Sequence, residues 1–511
     1  MLRKDLAWPV CVVNNLGRTE EQAMKKINEP PKRSEFSKGC IKLCIAYFVF
    51  ISLFYWIAHE QLEYSVETTL HLTPTAVVDN LYDGRTIDQA FEAQSEVLEN
   101  VSLMLSTNGI QSNGAICVTV LEGENELTRS EVLTADILDA QFNQFIFESP
   151  IENAKGRKLI LRVSTRDVAS GSGIMIWYST SIKAGKFEMD KVDLGTILVD
   201  GQSVTGQLSY EMSGRNWMIY KKLYWPTTLC LGALLILYCI RLTKHNRENT
   251  MCFSLFWIRT YQKYKFLIWQ LINRDFKTKY KRSVLGVFWS FLNPLLTMLV
   301  QYIIFATLFK SDIEYFSVYL LSGIIIFNFF SESVGMGMMS ILGNSSLITK
   351  VYMPKYIYPI SRVLSSCVNF FISFLPLLLV MGITGLWPTK AFLLVPVGLI
   401  PVILFCIGMS FMLSTSMVFF RDTQFLWGVV SLLWMYLTPI FYPITIIPEN
   451  ILGVFVCNPL YQFITFLRTV LLQGISPNPE AYFACFTWGI GIFLLGAFLF
   501  KKNQDRFILY L

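Results

Sequence analysis

Long apolar runs recur along this chain, most densely in its second half. Each contains about 20 residues, enough to cross a hydrocarbon core of roughly 30 Å as a helix rising 1.5 Å per residue. Two runs lie upstream, and six form a continuous block after residue 286. The pattern predicts eight transmembrane helices, at residues 40–58, 223–240, 287–308, 318–339, 360–386, 392–420, 425–442 and 481–500.

The segment between the first two spans has a different pattern. Apolar and polar residues alternate there over short stretches, which are separated by Gly, Asn and Asp. Period-two alternation with such punctuation is typical of antiparallel strands, and six or more strands in one segment favour a β-sandwich. The expected strands contain VSLMLST, AICVTVLEG, FIFES, KLILRVST, GIMIWYST and VTGQLSYE. The fold class predicted is an α-helical polytopic membrane protein with an inserted extracellular all-β sandwich domain.

Composition supports a membrane location and excludes an ordinary soluble protein. Hydrophobic residues make up 53% of the 511 residues and charged residues only 16%, against roughly 25% charged residues in globular domains. Cys117 is the single cysteine between residues 59 and 222, so no disulfide can form inside the sandwich. Three scattered histidines and the lack of a CxxC pair predict no metal site.

Basic residues indicate the orientation of the chain. Nine Lys and Arg residues occur within residues 1–42, and further ones follow the second span, so both regions are expected in the cytoplasm. Residues 59–220 carry 23 acidic and 11 basic side chains and are expected outside. The predicted order is a cytoplasmic segment (1–39), a span (40–58), an extracellular sandwich (59–222), a span (223–240), a cytoplasmic linker with an amphipathic helix (241–285) and a six-helix transmembrane domain (286–511).

The segment just before the six-helix block is strongly basic. It places five cations within nine residues, 274–282. On a helix, Trp269, Ile272, Phe276 and Tyr280 form one apolar stripe, and cations line up on another face. Such a helix is expected to lie in the membrane interface with its basic face among lipid phosphates. The cations on that face are Arg274, Lys277 and Lys281.

About half of the chain, from residue 266 onward, resembles the membrane subunit of polysaccharide-exporting ABC transporters. This family moves O-antigen, teichoic acid and related lipid-linked polymers. The resemblance is carried by separated blocks in the same order around six spans: LINRDFKTKYKRSVLGVFWSFLNPLL, FNFFSESV, LITKVYMPKYIYPIS, VFFRDTQ, TPIFYPITIIPEN and NPLYQFITFLRTVLLQG. The two leading spans and the sandwich depart from the compact pattern of the family.

The resemblance implies roles for two cytoplasmic regions. Some of the basic residues would collect the pyrophosphate of a polyprenyl-linked polymer, although they could equally bind bulk anionic lipid. The headgroup residues proposed are Arg274, Lys277, Lys281 and Arg282. The loop after the second core span would carry the helix that contacts an ATPase subunit, at Leu347, Ile348, Thr349, Lys350, Val351, Tyr352 and Met353.

Other residues are predicted to contact the polymer. Glu332 lies in the middle of a span, where a charge requires a wet cavity or a hydrogen-bond donor. With Phe327, Phe329 and Phe330 it would line a channel for sugar rings, although packing between helices is equally compatible. The resemblance implies short re-entrant gate helices on the outer side of the membrane, with Tyr461, Phe463 and Arg468 at the gate. Arg468 would contact a sugar or a lipid phosphate. In the sandwich, Trp177 and Tyr178 are possible sugar contacts, unless both rings only pack the core.

No GxxxxGK[ST] motif occurs, so the chain has no phosphate-cradling loop of that kind and is not expected to be an enzyme. ATP and Mg would be bound by a separate subunit. The resemblance implies a homodimer with two ATPase copies in a bacterial cytoplasmic membrane, a lipid-linked polysaccharide substrate and no nucleic-acid partner. Two alternatives stay open: a permease for a small drug-like or lipid substrate, and a membrane glycosyltransferase, which would require clustered carboxylates.

Overall fold

The structure is a computed structural model that describes residues 33–510, apart from 69–73, 79–80, 108–113, 170–173, 180–182, 185–186, 189–195, 249, 251, 282, 309–312, 314 and 350–352. The chain divides into two compact units, residues 62–224 and the remainder. These bounds lie within three residues of those predicted for the sandwich.

Thirteen helices belong to the described part of the chain, and most are long. Their bounds are α1 (Arg33–Glu63), α2 (Ile219–Arg247), α3 (Phe253–Tyr280), α4 (Phe288–Leu308), α5 (Phe316–Met338), α6 (Ser345–Ile348), α7 (Ile357–Ile383), α8 (Val395–Phe419), α9 (Thr423–Tyr436), α10 (Glu449–Val456), α11 (Pro459–Arg468), α12 (Pro479–Asn503) and α13 (Phe507–Tyr510).

Seven of these helices are long and apolar enough to cross a membrane: α1, α2, α4, α5, α7, α8 and α12. An eighth crossing is possible if α10 and α11, which meet at a bend of 77°, form one broken span. The same bend is compatible with the re-entrant pair predicted for this segment. The chain is thus a polytopic helical protein with seven or eight candidate spans.

The fifth predicted core span, residues 425–442, is wrong in its length. Helix α9 has only 14 residues and ends at Tyr436, which makes it about 21 Å long. Pro439 and Pro443 follow shortly after, and a proline disfavours helical backbone both at its own position and at the preceding residue. Hydropathy continues through this stretch, but helical structure does not.

The core of the helical unit is built around α5, most of whose residues are buried. Its side chains pack with those of α7, α8 and α11 in one hydrophobic cluster. Helices α8 and α12 approach each other closely at glycines. A Cβ atom at Gly496 or Gly489 would collide with the backbone of Gly408 or Pro401, respectively. Small residues of this kind allow spanning helices to pack backbone to backbone.

The described strands of residues 62–224 are β1 (Tyr64–Thr68), β2 (Ala76–Val78), β3 (Ile87–Glu92), β4 (Val97–Ser106), β5 (Ala115–Glu122), β6 (Asn125–Leu133), β7 (Gln141–Ile151), β8 (Lys158–Arg166), β9 (Met175–Ser179), β10 (Lys183–Ala184), β11 (Phe187–Glu188), β12 (Thr196–Val199), β13 (Gln202–Thr205), β14 (Gln207–Leu208) and β15 (Tyr210–Trp217). They form two large antiparallel sheets over a shared core and a separate two-stranded sheet, β10–β11. The seven-stranded sheet has the order β1-β15-β4-β9-β14, with β2 paired to β9 and β7 paired to β4, and the six-stranded sheet has the order β13-β12-β3-β8-β5-β6.

Alternate side chains of these strands meet between the two sheets. Val101 and Phe145 from one sheet and Val118 and Leu161 from the other are fully buried in one cluster. This is the inward half of the period-two alternation, which explains why the sequence pattern identified the strands. Five of the six predicted segments contain a strand, namely β4, β5, β7, β8 and β9. The sixth, VTGQLSYE, is not one strand, because it covers the end of β13, all of β14 and the start of β15, which belong to two different sheets.

Candidate functional site

A polar pocket lies where α3, α4, α5 and α7 meet. Its volume is about 490 Å³. Most of its lining is polar, although three of the contributing helices are candidate membrane spans. It is lined by Lys279, Tyr280, Trp289, Ser290, Asn293, Pro294, Asn328, Ser331, Glu332, Asn369 and Ser373. Polar groups are costly inside a bilayer and usually face a partner or a wet cavity there, so the lining marks this pocket as the candidate functional site.

The carboxylate of Glu332 is the acidic group of the polar pocket. Its Oε1 atom accepts hydrogen bonds from Lys279 Nζ and Asn369 Nδ2, each at 2.8 Å. The side chains of Lys279 and Glu332 are 40% and 30% exposed. The pocket therefore contains a compensated ion pair that is open to solvent on one side. Its net charge is zero, which suits a neutral, hydroxyl-rich ligand better than an anion.

A second set of hydrogen bonds fixes the wall of the polar pocket around Asn369. Its Oδ1 atom accepts from Tyr280 Oη at 2.9 Å and from Ser290 Oγ at 3.3 Å. Ser373 Oγ donates to the carbonyl of Asn369 at 3.0 Å. Sequence reasoning missed Lys279 and Asn369. A signal was present on α7, because Ser365, Asn369 and Ser373 recur every four residues and form one polar stripe on a mostly apolar helix.

A cluster of charges joins α3 to the region before α6. Asp275 is buried, and its carboxylate lies 2.9 Å from Arg274 Nη2 and 3.2 Å from Arg362 Nη1. Arg274 also donates to Asn344 Oδ1 at 3.1 Å. Asn344 immediately precedes α6, so the cluster links the basic helix, the short helix and the first turns of α7. The Arg274 side chain is 43% exposed, but its guanidinium is held in this ion cluster by the buried Asp275.

The other predicted headgroup residues differ from Arg274 in their pairing. Lys277 and Lys281 are exposed as Arg274 is, but within the described part of the chain neither forms an ion pair. Arg282 lies outside the described residues. Of the predicted apolar stripe, Ile272 is buried and Phe276 and Tyr280 are half-buried, but Trp269 is 61% exposed. The packed face of α3 is therefore rotated from the predicted one and includes Leu271 and Asp275.

Only part of the predicted ATPase-coupling segment is described. Leu347 and Thr349 are exposed, Ile348 is buried and Met353 is half-buried against the core. Lys350, Val351 and Tyr352 lie outside the described residues. Among the described residues, the exposed apolar patch expected in this loop is reduced to one side chain, Leu347, which is 39% exposed.

The predicted channel aromatics are packed within the helical unit. Phe330 is fully buried and contacts Phe405, Trp427 and Trp434. Phe329 stacks on Phe370 with ring centroids 4.4 Å apart. Phe327 is also buried. Of the two roles that the sequence left open, these contacts match helix packing, and Glu332 alone of the predicted set lines the polar pocket.

The predicted gate residues lie on α11. Arg468 is 8% exposed and Phe463 is buried against Phe405, whereas Tyr461 is half-buried. The guanidinium of Arg468 donates to the carbonyls of Pro439 at 2.9 Å and Ile440 at 3.0 Å. Its hydrogen bonds are thus made inside the protein, and the expectation that Arg468 meets a sugar or a lipid phosphate does not fit this geometry.

Trp177 and Tyr178 are half-buried neighbours on β9 and therefore point to opposite faces of the sheet. The Tyr178 ring packs against the sandwich core, and the indole Nε1 of Trp177 is buried without a hydrogen-bond partner. Neither ring forms an exposed platform. No cluster of three or more potential metal ligands occurs among the described residues.

Comparison with known proteins identifies the helical unit. The family model for ABC-2 type transporters matches residues 266–472, which include the polar pocket, α6 and α11. The O-antigen export system permease protein RfbA of Myxococcus xanthus is 30% identical over 253 residues, which make up 49% of this chain and 97% of that protein. The protein of the same name from Klebsiella pneumoniae is 29% identical over 238 residues, 46% of this chain and 92% of that protein. These matches confirm the resemblance on which the sequence prediction rested, and the chain belongs to the ABC-2 type transporter family, among the polysaccharide-export permeases.

Proposed function

We propose that this chain is the membrane subunit of an ATP-driven exporter of a lipid-linked polysaccharide, such as an O-antigen or a teichoic acid, across the bacterial cytoplasmic membrane. The observation that carries the proposal is the polar pocket inside the region that matches the O-antigen permeases. An exporter of sugar chains requires hydroxyl-compatible surface within its spanning helices. The pocket supplies amides, hydroxyls and a neutralised ion pair there.

A second copy of the chain completes the path in this proposal. The polar pocket is open on one side, and one helical unit of this size does not enclose a pore for a polymer. Helices α4 and α9 expose large apolar side chains, including Val300, Ile303, Phe425 and Val429, which suit contact with lipid or with a second subunit. Two copies would place two polar pockets along a shared route.

A separate ATPase supplies the energy. The chain has no GxxxxGK[ST] motif, and α6 lies at the end of the bundle that the sequence predicts to be cytoplasmic. We assign the ATPase contact to the segment from Leu347 to Met353, which begins with exposed Leu347 in α6. The Asp275 cluster connects this segment to α3 and α7, and so offers a direct mechanical link from the ATPase to the polar pocket.

Deletion of the gene tests the proposed function. We expect the lipid-linked polymer to accumulate inside the cell and to disappear from the surface, because synthesis continues while export stops. The measurement is the ratio of surface polymer to internal lipid-linked polymer, with and without a plasmid copy of the gene. Normal surface polymer in the deletion strain would exclude the proposed substrate class.

Charge reversal on α3 tests the role of its exposed cations. The double variant Lys277→Glu, Lys281→Glu is expected to reduce export about tenfold or more, because two exposed charges that attract a pyrophosphate would repel it. Co-purification of the ATPase should not change, since both residues lie outside α6. The matched control is Lys501→Glu, Lys502→Glu, which reverses two exposed lysines at the end of α12. Equal loss of export in both double variants would indicate a general charge effect and remove the headgroup assignment.

A further inference from the structure

The outer sandwich contains a pocket of its own at one end of the two sheets. Its volume is about 350 Å³. Strand β3 and the turn after it supply one side, and β14 and β15 supply the other. The lining residues are Ala90, Phe91, Glu92, Ala93, Gln94, Ser95, Leu98, Gln207, Leu208, Tyr210 and Met212. The matched family region begins at residue 266, so this sandwich pocket lies outside it.

The base of the sandwich pocket is apolar. Leu98, Leu208 and Met212 form it, and all three are at most 3% exposed. Phe91 and Tyr210 add an aromatic wall, with ring centroids 6.2 Å apart. Tyr210 is only 9% exposed, so the half-buried Phe91 offers most of the accessible apolar surface. An aromatic ring of this kind packs against the C–H face of a sugar ring or against a small apolar substituent.

The rim of the sandwich pocket is polar. Glu92 and Gln94 are exposed, and Gln207 is half-buried. Ser95 adds a hydroxyl to the wall, and the residue as a whole is only 4% exposed. These side chains together offer amide and hydroxyl groups that can form hydrogen bonds with a sugar.

Tyr210 adds a directed donor. Its hydroxyl oxygen accepts a hydrogen bond from Gln207 Nε2 at 3.4 Å, so its own proton remains available for an acceptor. Burial raises the pKa of the Tyr210 phenol, although the Gln207 contact opposes this shift. The group is therefore protonated at neutral pH and acts as a donor.

The backbone around the sandwich pocket is held in place independently of any ligand. The side chain of Gln89 accepts from Leu208 N at 3.2 Å and donates to Ala90 O at 3.0 Å, which ties β3 to β14. Close to the pocket, Gly214 faces Ser95 so tightly that a Cβ atom would collide with it. The pocket is thus a preformed feature of the fold.

The charge of the lining selects the class of ligand. Among the described residues that line the pocket, Glu92 is the one carboxylate and there is no Lys or Arg. An anionic group would be repelled, whereas hydroxyls and a small apolar substituent are matched. We propose that this pocket binds one neutral sugar residue that carries a methyl or acetyl group, such as a 6-deoxyhexose or an N-acetylhexosamine. The assignment concerns the sandwich alone and does not depend on the export function.

Titration of the full-length protein in lipid nanodiscs tests this inference. The probes are two neutral sugars, methyl α-L-rhamnopyranoside and N-acetylglucosamine, and two anions, glucuronate and inorganic phosphate. Binding of the three carbohydrate probes is measured by saturation-transfer NMR, and phosphate is added as a competitor. We expect binding of at least one of the two neutral sugars and of neither anion. Tyr210→Phe and Gln94→Ala should each weaken that binding about fivefold or more, the loss of roughly one hydrogen bond. Both variants retain the fold, because the first keeps the buried ring and the second changes an exposed side chain.

The control variant is Trp177→Phe, which lies in the same sandwich but outside the pocket and should bind as the unaltered protein does. Absence of binding by both neutral sugars would overturn the proposal, as would unchanged affinity in both pocket variants. Loss of binding only in Trp177→Phe would place a sugar site at β9 instead and equally overturn it. With binding established, surface polymer and wall fragments from the same cells can be compared as competitors to identify the source of the sugar.

Discussion

Replacing Arg468 with methionine is expected to destabilise the helical unit by several kcal/mol. The guanidinium donates to the carbonyl oxygens of Pro439, Ile440 and Tyr319, at 2.9, 3.0 and 3.2 Å. It also lies 3.4 Å above the centroid of the Tyr319 ring. Methionine fills similar space but leaves the buried carbonyls of Pro439 and Ile440 without this donor, and each unsatisfied group costs about 1–3 kcal/mol. The Tyr319 carbonyl keeps a hydrogen bond from Ser322 Oγ at 2.8 Å.

The structural reason for this large effect is the position of Arg468 between three segments. It lies at the end of α11, its acceptors Pro439 and Ile440 follow α9, and Tyr319 is on α5. Gly323 on α5 leaves the room, because a Cβ atom there would stand 3.1 Å from Arg468 Nη2. One side chain therefore fixes the bent pair α10–α11 to the centre of the bundle.

Thermal unfolding of the purified protein in detergent is the measurement for Arg468. Arg506→Met is the matched control, since Arg506 is exposed and should leave the unfolding temperature unchanged. Arg468→Lys should be intermediate, because an ammonium group keeps the charge but does not span the same carbonyls as a planar guanidinium. An unfolding temperature of Arg468→Met equal to that of the control would refute the structural role assigned to this residue.

Arg468 also illustrates what sequence alone does not disclose. Its position on a short helix near the predicted outer face suggested contact with a sugar or a phosphate. The backbone carbonyls that it satisfies become available only because the chain turns after α9, and no residue type encodes those acceptors directly. The prediction from hydropathy was wrong in the same region. It extended the fifth core span through residue 442, whereas the helix ends at Tyr436, before Pro439 and Pro443.

The sandwich was easier to predict, because each strand carries its own signal. The alternation places every second side chain in the shared core, and the same residues are buried in the structure. The order of the strands could not be predicted from the sequence, because a pairing such as that of β1 with β15 joins residues about 150 positions apart. The sandwich pocket depends on the pairing of β4 with β15, which are also distant in sequence, and on the turn after β3, so no local sequence motif predicts it.

The polar pocket was predictable in part. Glu332 stood out because a carboxylate within a span requires a partner. Its partner Lys279 was hidden within a run of cations that were all expected at the lipid surface. The helix periodicity does separate Lys279 from Lys277 and Lys281, because two positions along a helix correspond to a rotation of about 200°. Three-dimensional packing decides which of the resulting faces meets α5.

Substitutions in the Lys279–Glu332 ion pair of the polar pocket are expected to have the second largest effect on stability and export. Glu332→Gln leaves the Lys279 ammonium without its counter-ion. Lys279→Met removes one of the two hydrogen-bond donors to the Glu332 carboxylate and leaves the amide of Asn369. Each single variant is therefore expected to unfold at a lower temperature and to export poorly. In the double variant both charges are gone, and the amide oxygen introduced at position 332 can still accept from Asn369. We expect recovery of most of the stability, with a coupling energy of about 0.5–3 kcal/mol.

Export by the double variant separates two roles of the pair. A neutral sugar chain needs hydroxyl-compatible surface but no charge, so a polar pocket that guides the polymer should work in the double variant at a rate close to that of the unaltered protein. Surface polymer and thermal unfolding are measured together in all four proteins. A stable double variant that does not export would contradict the proposed guiding role and assign the charges themselves to the transport step, whereas additive losses of stability would show that Lys279 and Glu332 do not act as a pair.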